Sequence, residues 1–150
     1  MNDVNNGQYE YIYDCENRLT KAKENSQTVA TYKYDYQGRR VAKIVDGNTT
    51  KYCYDGDRVI AEYGGGGTLL RKYVYGPGID EPICMIDVAD DNKVYYYHFD
   101  GLGSAVALSG GSRQIVKRYS YDVFGEPTIR DSNNQILTTR NEKVAQSFVD

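Results

Sequence analysis

The feature that most constrains this 150-residue sequence is a tyrosine motif, Tyr-x-Tyr-Asp or a close variant, which occurs six times. The copies are Tyr11-Ile12-Tyr13-Asp14, Tyr32-Lys33-Tyr34-Asp35, Tyr52-Cys53-Tyr54-Asp55, Tyr73-Val74-Tyr75-Gly76, Tyr97-His98-Phe99-Asp100 and Tyr119-Ser120-Tyr121-Asp122. The first tyrosines of successive copies are 21, 20, 21, 24 and 22 residues apart. A spacing this regular indicates tandem structural units, each of which packs against its neighbours in the chain.

The second copy shows what one unit is expected to fold into. Tyr32 and Tyr34 are two residues apart, so both rings fall on one face of a β-strand. Asp35 can accept hydrogen bonds from backbone amides at a turn, and Gly38 can supply the positive φ that a short hairpin requires. Residues 39–45 then return as a second strand. The predicted fold is therefore all-β, with tandem antiparallel β-hairpins forming a curved, twisted sheet.

The residues that follow the motif predict a similar turn in most copies. Gly103 and Gly125 occupy the place of Gly38. The first copy has Asn17 there, and asparagine tolerates left-handed geometry best after glycine. The connection after Asp55 in the third copy is one residue shorter, so a different turn type is expected at that point.

Composition and charge exclude several classes of protein. The net charge of -3 gives no reason to expect nucleic acid or an anionic membrane as a partner. The 16 tyrosines, against 3 phenylalanines and no tryptophan, favour a partly hydrated sheet over an oily core, because each phenol needs a hydrogen-bond partner. No run of 18 apolar residues predicts a membrane span, and the polar first nine residues lack the features of a Sec signal.

No cofactor or metal site is predicted. The glycine run at residues 64–67 is not followed by Gly-Lys-Ser/Thr, so it predicts a flexible hairpin tip rather than a phosphate-binding loop. Cys15, Cys53 and Cys84 are odd in number and lie 38 and 31 residues apart. This spacing fits neither a disulfide framework nor a zinc site, so the three are predicted to be free, structural thiols.

The repeated aspartates and the single histidine raise the question of catalysis. Each aspartate lies at the same point of a repeated turn, where backbone capping already accounts for it. His98 is the middle residue of its motif, on the face opposite the aromatic pair, and no Gly-x-Ser-x-Gly pattern accompanies it. Ser104 is predicted to leave a turn. Structural roles are therefore favoured over a carboxylate pair or an acid–base site.

The tyrosines are expected to form ladders along one sheet face, because they recur on successive hairpins. Such ladders would hold the sheet together through cross-strand contacts. Alternatively, some would line a surface that binds glycans or partner polypeptides. The predicted structural repeat residues are Tyr11, Tyr13, Asp14, Tyr32, Tyr34, Asp35, Gly38, Tyr52, Tyr54, Asp55, Tyr73, Tyr75, Tyr97, Phe99, Asp100, Gly103, Tyr119, Tyr121, Asp122 and Gly125.

The later repeats resemble the RHS-repeat-associated core of RHS, or YD-repeat, proteins. The stretches that carry the resemblance are Tyr73-Val74-Tyr75-Gly76-Pro77-Gly78-Ile79-Asp80-Glu81-Pro82-Ile83, residues 97–108 with Gly101-Leu102-Gly103-Ser104, and Tyr119-Ser120-Tyr121-Asp122-Val123-Phe124-Gly125-Glu126-Pro127. In that family, spiralling β-sheets wrap into hollow shells that enclose a polypeptide, often a C-terminal toxin. Related arrays occur in adhesive surface proteins. The resemblance implies a shell-forming role.

The resemblance ends after Pro127. The segments that continue such a core to an aspartyl self-cleavage motif have no match in these 150 residues, so cargo and cleavage functions are not expected of them. The expected organisation is a polar lead-in over residues 1–8, a repeat array over 9–127, and a polar, partly ordered tail over 128–150. Within that tail, residues 136–139 predict a weak strand, and residues 142–149 a short helix or loose segment.

The sequence thus predicts a non-catalytic scaffold or shell segment, with a tyrosine-lined binding module for glycans or polypeptides as the alternative. Because no capping unit is visible at either end of the array, open sheet edges predict self-association or contact with a neighbouring protein. A fragment of a longer RHS gene is a further expectation. The family resemblance implies a secreted or surface location reached by a non-Sec route, and otherwise the cytoplasm.

Overall fold

The computed structural model describes residues 4, 5 and 8–137. Within these residues every element of regular secondary structure is a β-strand, and every pairing between strands is antiparallel. The chain divides into two units, Met1–Leu70 and Arg71–Asp150. The predicted all-β fold built from tandem antiparallel hairpins is confirmed.

The described residues of the first unit form seven strands, each paired with the next in sequence. They are β1 (Val4–Asn5), β2 (Tyr9–Tyr13), β3 (Leu19–Glu24), β4 (Gln27–Tyr34), β5 (Arg40–Val45), β6 (Asn48–Asp55) and β7 (Arg58–Gly64). The glycine run forms the hairpin tip that the sequence predicts, since Gly64 N–H donates to the carbonyl of Thr68 at 2.8 Å.

The second unit repeats the same scheme. Its strands are β8 (Leu69–Tyr75, which begins at the end of the first unit), β9 (Pro82–Asp87), β10 (Lys93–Phe99), β11 (Ala105–Gly110), β12 (Ile115–Tyr121) and β13 (Pro127–Asp131). Each pairs with the next in sequence. Ile136 adds an isolated bridge to Arg130, while residues 138 and 139 of the predicted tail strand, and the predicted segment 142–149, lie outside the described residues.

A β-bulge recurs beside the second aromatic residue of the motif. In β4, Lys33 pairs with Ala42 but Tyr34 pairs with Arg40, so Val41 has no residue opposite it. The same shift precedes Tyr13, Tyr54, Tyr75 and Phe99 in their strands. A bulge bends its strand and increases the local right-handed twist. The repeat therefore builds a bend into each of these hairpins at the same place.

More of the buried residues lie on one face of the sheet than on the other. We call the face that bears the paired aromatic residues the tyrosine face, and the one that bears the middle residue of the motif the variable face. Tyr52 is 7% exposed on the tyrosine face, whereas its neighbour Cys53 is exposed on the variable face. The buried apolar residues are Ala30, Ala42, Val45, Tyr52 and Ala61 in the first unit and Ala105, Leu108 and Ile129 in the second. None of the described large side chains is exposed by less than 2%, as expected for a thin sheet.

Candidate functional site

Aspartate closes the same five-residue turn at several hairpin ends. At Asp35, Oδ1 accepts the amides of Gln37 and Arg39, each at 2.9 Å, and the backbone N–H of Asp35 donates to the carbonyl of Arg39. The same pattern, with amides two and four residues on, recurs at Asp14, Asp100, Asp122 and Asp131. The last of these turns lies outside the motif and was not predicted.

The fourth residue of this turn has a positive φ. Gly38 has φ 83° and Asn17 has φ 62°, and each donates its N–H to the carbonyl of the turn aspartate at 3.1 Å. Gly103, Gly125 and Asn134 hold the same position, with φ of 88°, 83° and 65°. Glycine or asparagine at this position follows from the left-handed conformation that the turn requires.

Two motif copies close differently. Asp55 pairs directly with Arg58, so its hairpin has a two-residue loop with φ 57° at Gly56. In the fourth copy the carboxylate comes from the far side of the loop, where Oε2 of Glu81 accepts the amide of Gly78 at 3.1 Å. A Cβ at residue 76 would lie 2.6 Å from that oxygen, so an aspartate there would have to displace the end of the Glu81 side chain.

The second tyrosine of the motif binds the preceding hairpin. Tyr34 Oη donates to the carbonyl of Leu19 at 2.8 Å, and Tyr54 Oη donates to the carbonyl of Arg40 at 2.7 Å. Tyr121 Oη makes the corresponding bond to Ala105 at 3.0 Å. Each acceptor lies five residues after the preceding motif aspartate, beside the bulge. The phenol therefore links one repeat to the next.

Arginine completes a repeat-to-repeat contact in the first unit, which we call the clasp: Asp35, Arg39 and Tyr54. Arg39 Nε donates to Asp35 Oδ2 at 2.8 Å, and its guanidinium lies 4.9 Å from the ring centroid of Tyr54 in the next repeat. The guanidinium also donates to the carbonyl of Gly56. An equivalent clasp joins Asp14, Arg18 and Tyr34, with the guanidinium 5.1 Å from the ring.

A second arginine lies between the first tyrosines of two repeats. The guanidinium of Arg40 is 5.5 Å from the ring centroid of Tyr32 and 5.7 Å from that of Tyr52. Burial raises the pKa of Tyr52, and the Arg40 charge opposes this only in part. Burial likewise raises the pKa of Tyr32. These phenols stay protonated at neutral pH and are unsuited to act as bases there.

The tyrosines of neighbouring repeats are joined by more than contacts between their rings. Because strand β5 lies between the tyrosine-bearing strands β4 and β6, cations and backbone atoms bridge the rings of neighbouring repeats. Tyr97 and Phe99 stack along one strand, with centroids 6.2 Å apart. The other predicted repeat aromatics lie on motif strands β2, β8 and β12: Tyr11, Tyr13, Tyr73, Tyr75, Tyr119 and Tyr121.

The residues considered for catalysis do not converge. His98 lies on the variable face, and its Nε2 is 2.8 Å from Oγ of Ser109, a hydroxyl that is itself buried. Within the part of the chain that the structure describes, no group of three or more His, Cys, Asp or Glu side chains could hold a metal ion. The cysteines are unpaired thiols. Among the described residues, no helix is long and apolar enough to cross a membrane.

The turn carboxylates make stability depend on acid pH. The amide of Arg18 lowers the pKa of Asp14, and the amides of Ser104 and Leu102 lower that of Asp100. Partial desolvation opposes the lowering at Asp35, but bonds from the side chain and backbone of Arg39 outweigh it. A lowered folded-state pKa stabilises the fold above the unfolded pKa, and this stabilisation is lost as pH falls through the folded value.

We expect changing Asp14, Asp35 and Asp100 together to asparagine to lower the melting temperature at pH 7 by roughly 5 to 10 °C. The deficit should shrink as pH falls below the ordinary aspartate pKa of about 3.9 and through the lower folded-state pKa values, because the native carboxylates then become protonated. Thermal melts followed by circular dichroism between pH 2.5 and 7 would measure it. A deficit that stayed constant over this range would show that the charge of the turn carboxylates contributes nothing.

The repeat geometry agrees with comparison against known families. The family model described as Teneurin YD-shell matches residues 2–137 of this chain. The chain belongs to the YD-shell family. The RHS or YD-repeat resemblance seen in the sequence is thereby confirmed.

Two bacterial relatives share the YD-shell sequence. The tRNA3(Ser)-specific nuclease WapA of Bacillus spizizenii and the tRNA nuclease WapA of Bacillus subtilis are each 32% identical over 143 residues. The match covers 93% of this chain but only 6% of either relative. A structure of the Photorhabdus luminescens Tc holotoxin pore matches with a TM-score of 0.59 and 15% identity, covering 93% of this chain and 7% of that one. This likeness concerns the YD-shell fold alone.

Proposed function

We propose that this chain is a wall segment of a YD shell in a toxin-associated protein and carries no catalytic site of its own. The clasp supports the proposal most directly. Its guanidinium binds the carboxylate of its own repeat and lies over the phenol ring of the next repeat, and the phenol hydroxyl donates to a backbone carbonyl of the preceding repeat. Side chains used in this way hold a wall together. Repeat arrays gain their stability from such nearest-neighbour contacts.

The relatives support a place in a much longer protein. Their names assign tRNA cleavage to proteins of which this chain corresponds to 6%. We assign the shared segment to the wall, and the cleavage of tRNA to other parts of those proteins. The same reasoning proposes a secreted or surface location, and contact with further wall segments through open sheet edges.

The test is an assay for tRNA cleavage. The purified chain, incubated with total bacterial tRNA and resolved on a denaturing gel, should leave every tRNA intact, while an added ribonuclease degrades the same sample. Cleavage by the chain that was lost in a His98→Ala or Asp100→Asn variant would contradict the non-catalytic assignment. Gln114→Ala, a change at an exposed turn residue, serves as the matched control.

Binding of glycans by the tyrosine face is the second candidate. The clasp argues against it, because Tyr34 and Tyr54 already contact an arginine through their rings and a carbonyl through their hydroxyls. A glycan array probed with the intact chain decides between the two. We expect no specific signal, and a reproducible hit that a Tyr54→Ala variant lost would favour the binding module.

A further inference from the structure

The variable face of the second unit carries cations without acids. The strand registers place Lys72, His98, Arg118 and Arg130 on this face. The other strand residues that the registers place on this face are apolar or uncharged, among them Val74, Cys84, Ile86, Val94, Tyr96, Ala107, Ser109, Ser120 and Thr128. The carboxylates Asp87 and Asp131 share the opposite face with Lys93 and Lys117. A chain with a net charge of -3 thus presents one basic surface.

Two of these cations directly oppose each other. Arg118 pairs with Arg130 in the β12–β13 register, and Ser120 pairs with Thr128 in the next row of the same face. Like charges placed opposite each other on a sheet are destabilising. Arg130 uses one donor on the carbonyl of Asn134, at 3.1 Å, out of the five that a guanidinium has. Two guanidiniums and two hydroxyls in one square patch form a set of donors suited to oxyanions.

From this juxtaposition we infer that the patch Arg118, Ser120, Thr128 and Arg130 is a docking site for an acidic polypeptide segment. Alternate residues of an extended peptide are about 6.6 to 6.8 Å apart, which is also the distance between Arg118 and Ser120 along their strand. Carboxylates at alternate positions of the peptide therefore match the patch in register. Bidentate pairing of carboxylate with guanidinium gives the contact its direction.

The surroundings of the patch favour a short acidic peptide over nucleic acid. Turn carboxylates stand at the ends of the strands that carry it, at Asp122, Glu126 and Asp131. A polyanion longer than one strand would extend over these carboxylates and be repelled by them. An acidic segment of a few residues would fit between the carboxylates at the two ends of the strands. Nucleic-acid binding also depends on many phosphate contacts at once, and this patch offers two strong ones.

The inference concerns binding by one face and does not depend on the shell role. Fluorescence anisotropy with a labelled five-residue peptide of alternating Glu and Ser, no longer than strand β13, measures it in the intact chain. An Arg118→Gln/Arg130→Gln variant should weaken binding by about tenfold, as expected for two partly exposed ion pairs. A Lys93→Gln/Lys117→Gln variant removes equal charge from the opposite face and should change binding by less than about threefold.

Location and ligand class are tested in the same experiment. Amide NMR shifts on adding the peptide should concentrate on residues 117–130, and an eight-nucleotide oligothymidylate should bind more weakly. Equal weakening in both variants, shifts centred on another part of the chain, stronger binding of the oligothymidylate, or no binding of the peptide would each overturn the proposal. Circular dichroism of both variants establishes that they are folded.

Discussion

Replacing Tyr52 with alanine should destabilise the fold by about 3 kcal/mol, the largest effect expected for one substitution in this chain. Tyr52 is the largest of the buried side chains and is 7% exposed. Its ring packs near the guanidinium of Arg40, which also lies beside Tyr32. The alanine substitution removes this buried ring, so Arg40 keeps an aromatic contact only with Tyr32. Urea unfolding followed by circular dichroism would measure the loss.

Two matched variants give this prediction its controls. Cys53→Ala changes the adjacent residue on the exposed variable face and should alter stability by no more than about 0.5 kcal/mol. Tyr52→Phe keeps the buried ring and should therefore cost much less than Tyr52→Ala. If Tyr52→Ala and Cys53→Ala lowered the free energy of unfolding by the same small amount, burial of Tyr52 on the tyrosine face would not be a main source of stability.

Replacing Gly38 with valine should cost about 1 to 3 kcal/mol through the backbone alone. Gly38 has φ 83°, and a Cβ built there meets no atom within 4 Å, so the side chain itself has room. A β-branched residue at positive φ is a strained outlier. Denaturant unfolding midpoints compared with the unaltered chain would give the size of the effect.

Gly38→Asn is the control for backbone strain. Asn17 holds the same turn position with φ 62°, and asparagine tolerates this region of backbone conformation. We therefore expect the asparagine variant to be far more stable than the valine variant. Equal losses in the two would show that the turn does not depend on the left-handed conformation at residue 38.

Much of the fold could be predicted because the same motif and turn residues recur in successive repeats. The spacing of the motif and the residues of its turns specify strands, hairpins and reversals, and these are local features. The turn aspartates and the left-handed position at Gly38 follow from the same local chemistry. The two exceptions are the turns at Asp55 and Glu81, and the sequence is irregular at both. The connection after Asp55 is one residue shorter than in the other copies, and the fourth and fifth motif copies are 24 residues apart.

The contacts between repeats were harder to predict, because they join residues that are about 15 positions apart. The bond from Tyr34 reaches the carbonyl of Leu19, which lies beside the bulge opposite Tyr13, and no residue type encodes that bulge uniquely. One available signal was the arginine that follows the aspartate by four positions in two copies, Arg18 and Arg39. Read with the next tyrosine, this recurrence would have indicated the clasp.

The distribution of charge also required the strand registers. Net charge led the sequence interpretation away from anionic partners, yet the acids are concentrated in turns and on the tyrosine face of the second unit. Arg118 and Arg130 are 12 residues apart in sequence and become opposite neighbours only when β12 and β13 pair. A surface of this kind is a property of the pairing rather than of the composition.

The central claim, that motif side chains couple one repeat to the next, is tested most directly by a double-mutant cycle on Arg39 and Tyr54. Unfolding free energies of Arg39→Gln, Tyr54→Leu and the double variant should give a coupling energy of about 0.5 to 1 kcal/mol. As a control, a cycle that combines Tyr54→Leu with Lys51→Gln, a change on the opposite face, should give a coupling energy near zero. Additive effects of Arg39 and Tyr54 would contradict the clasp as the link between repeats.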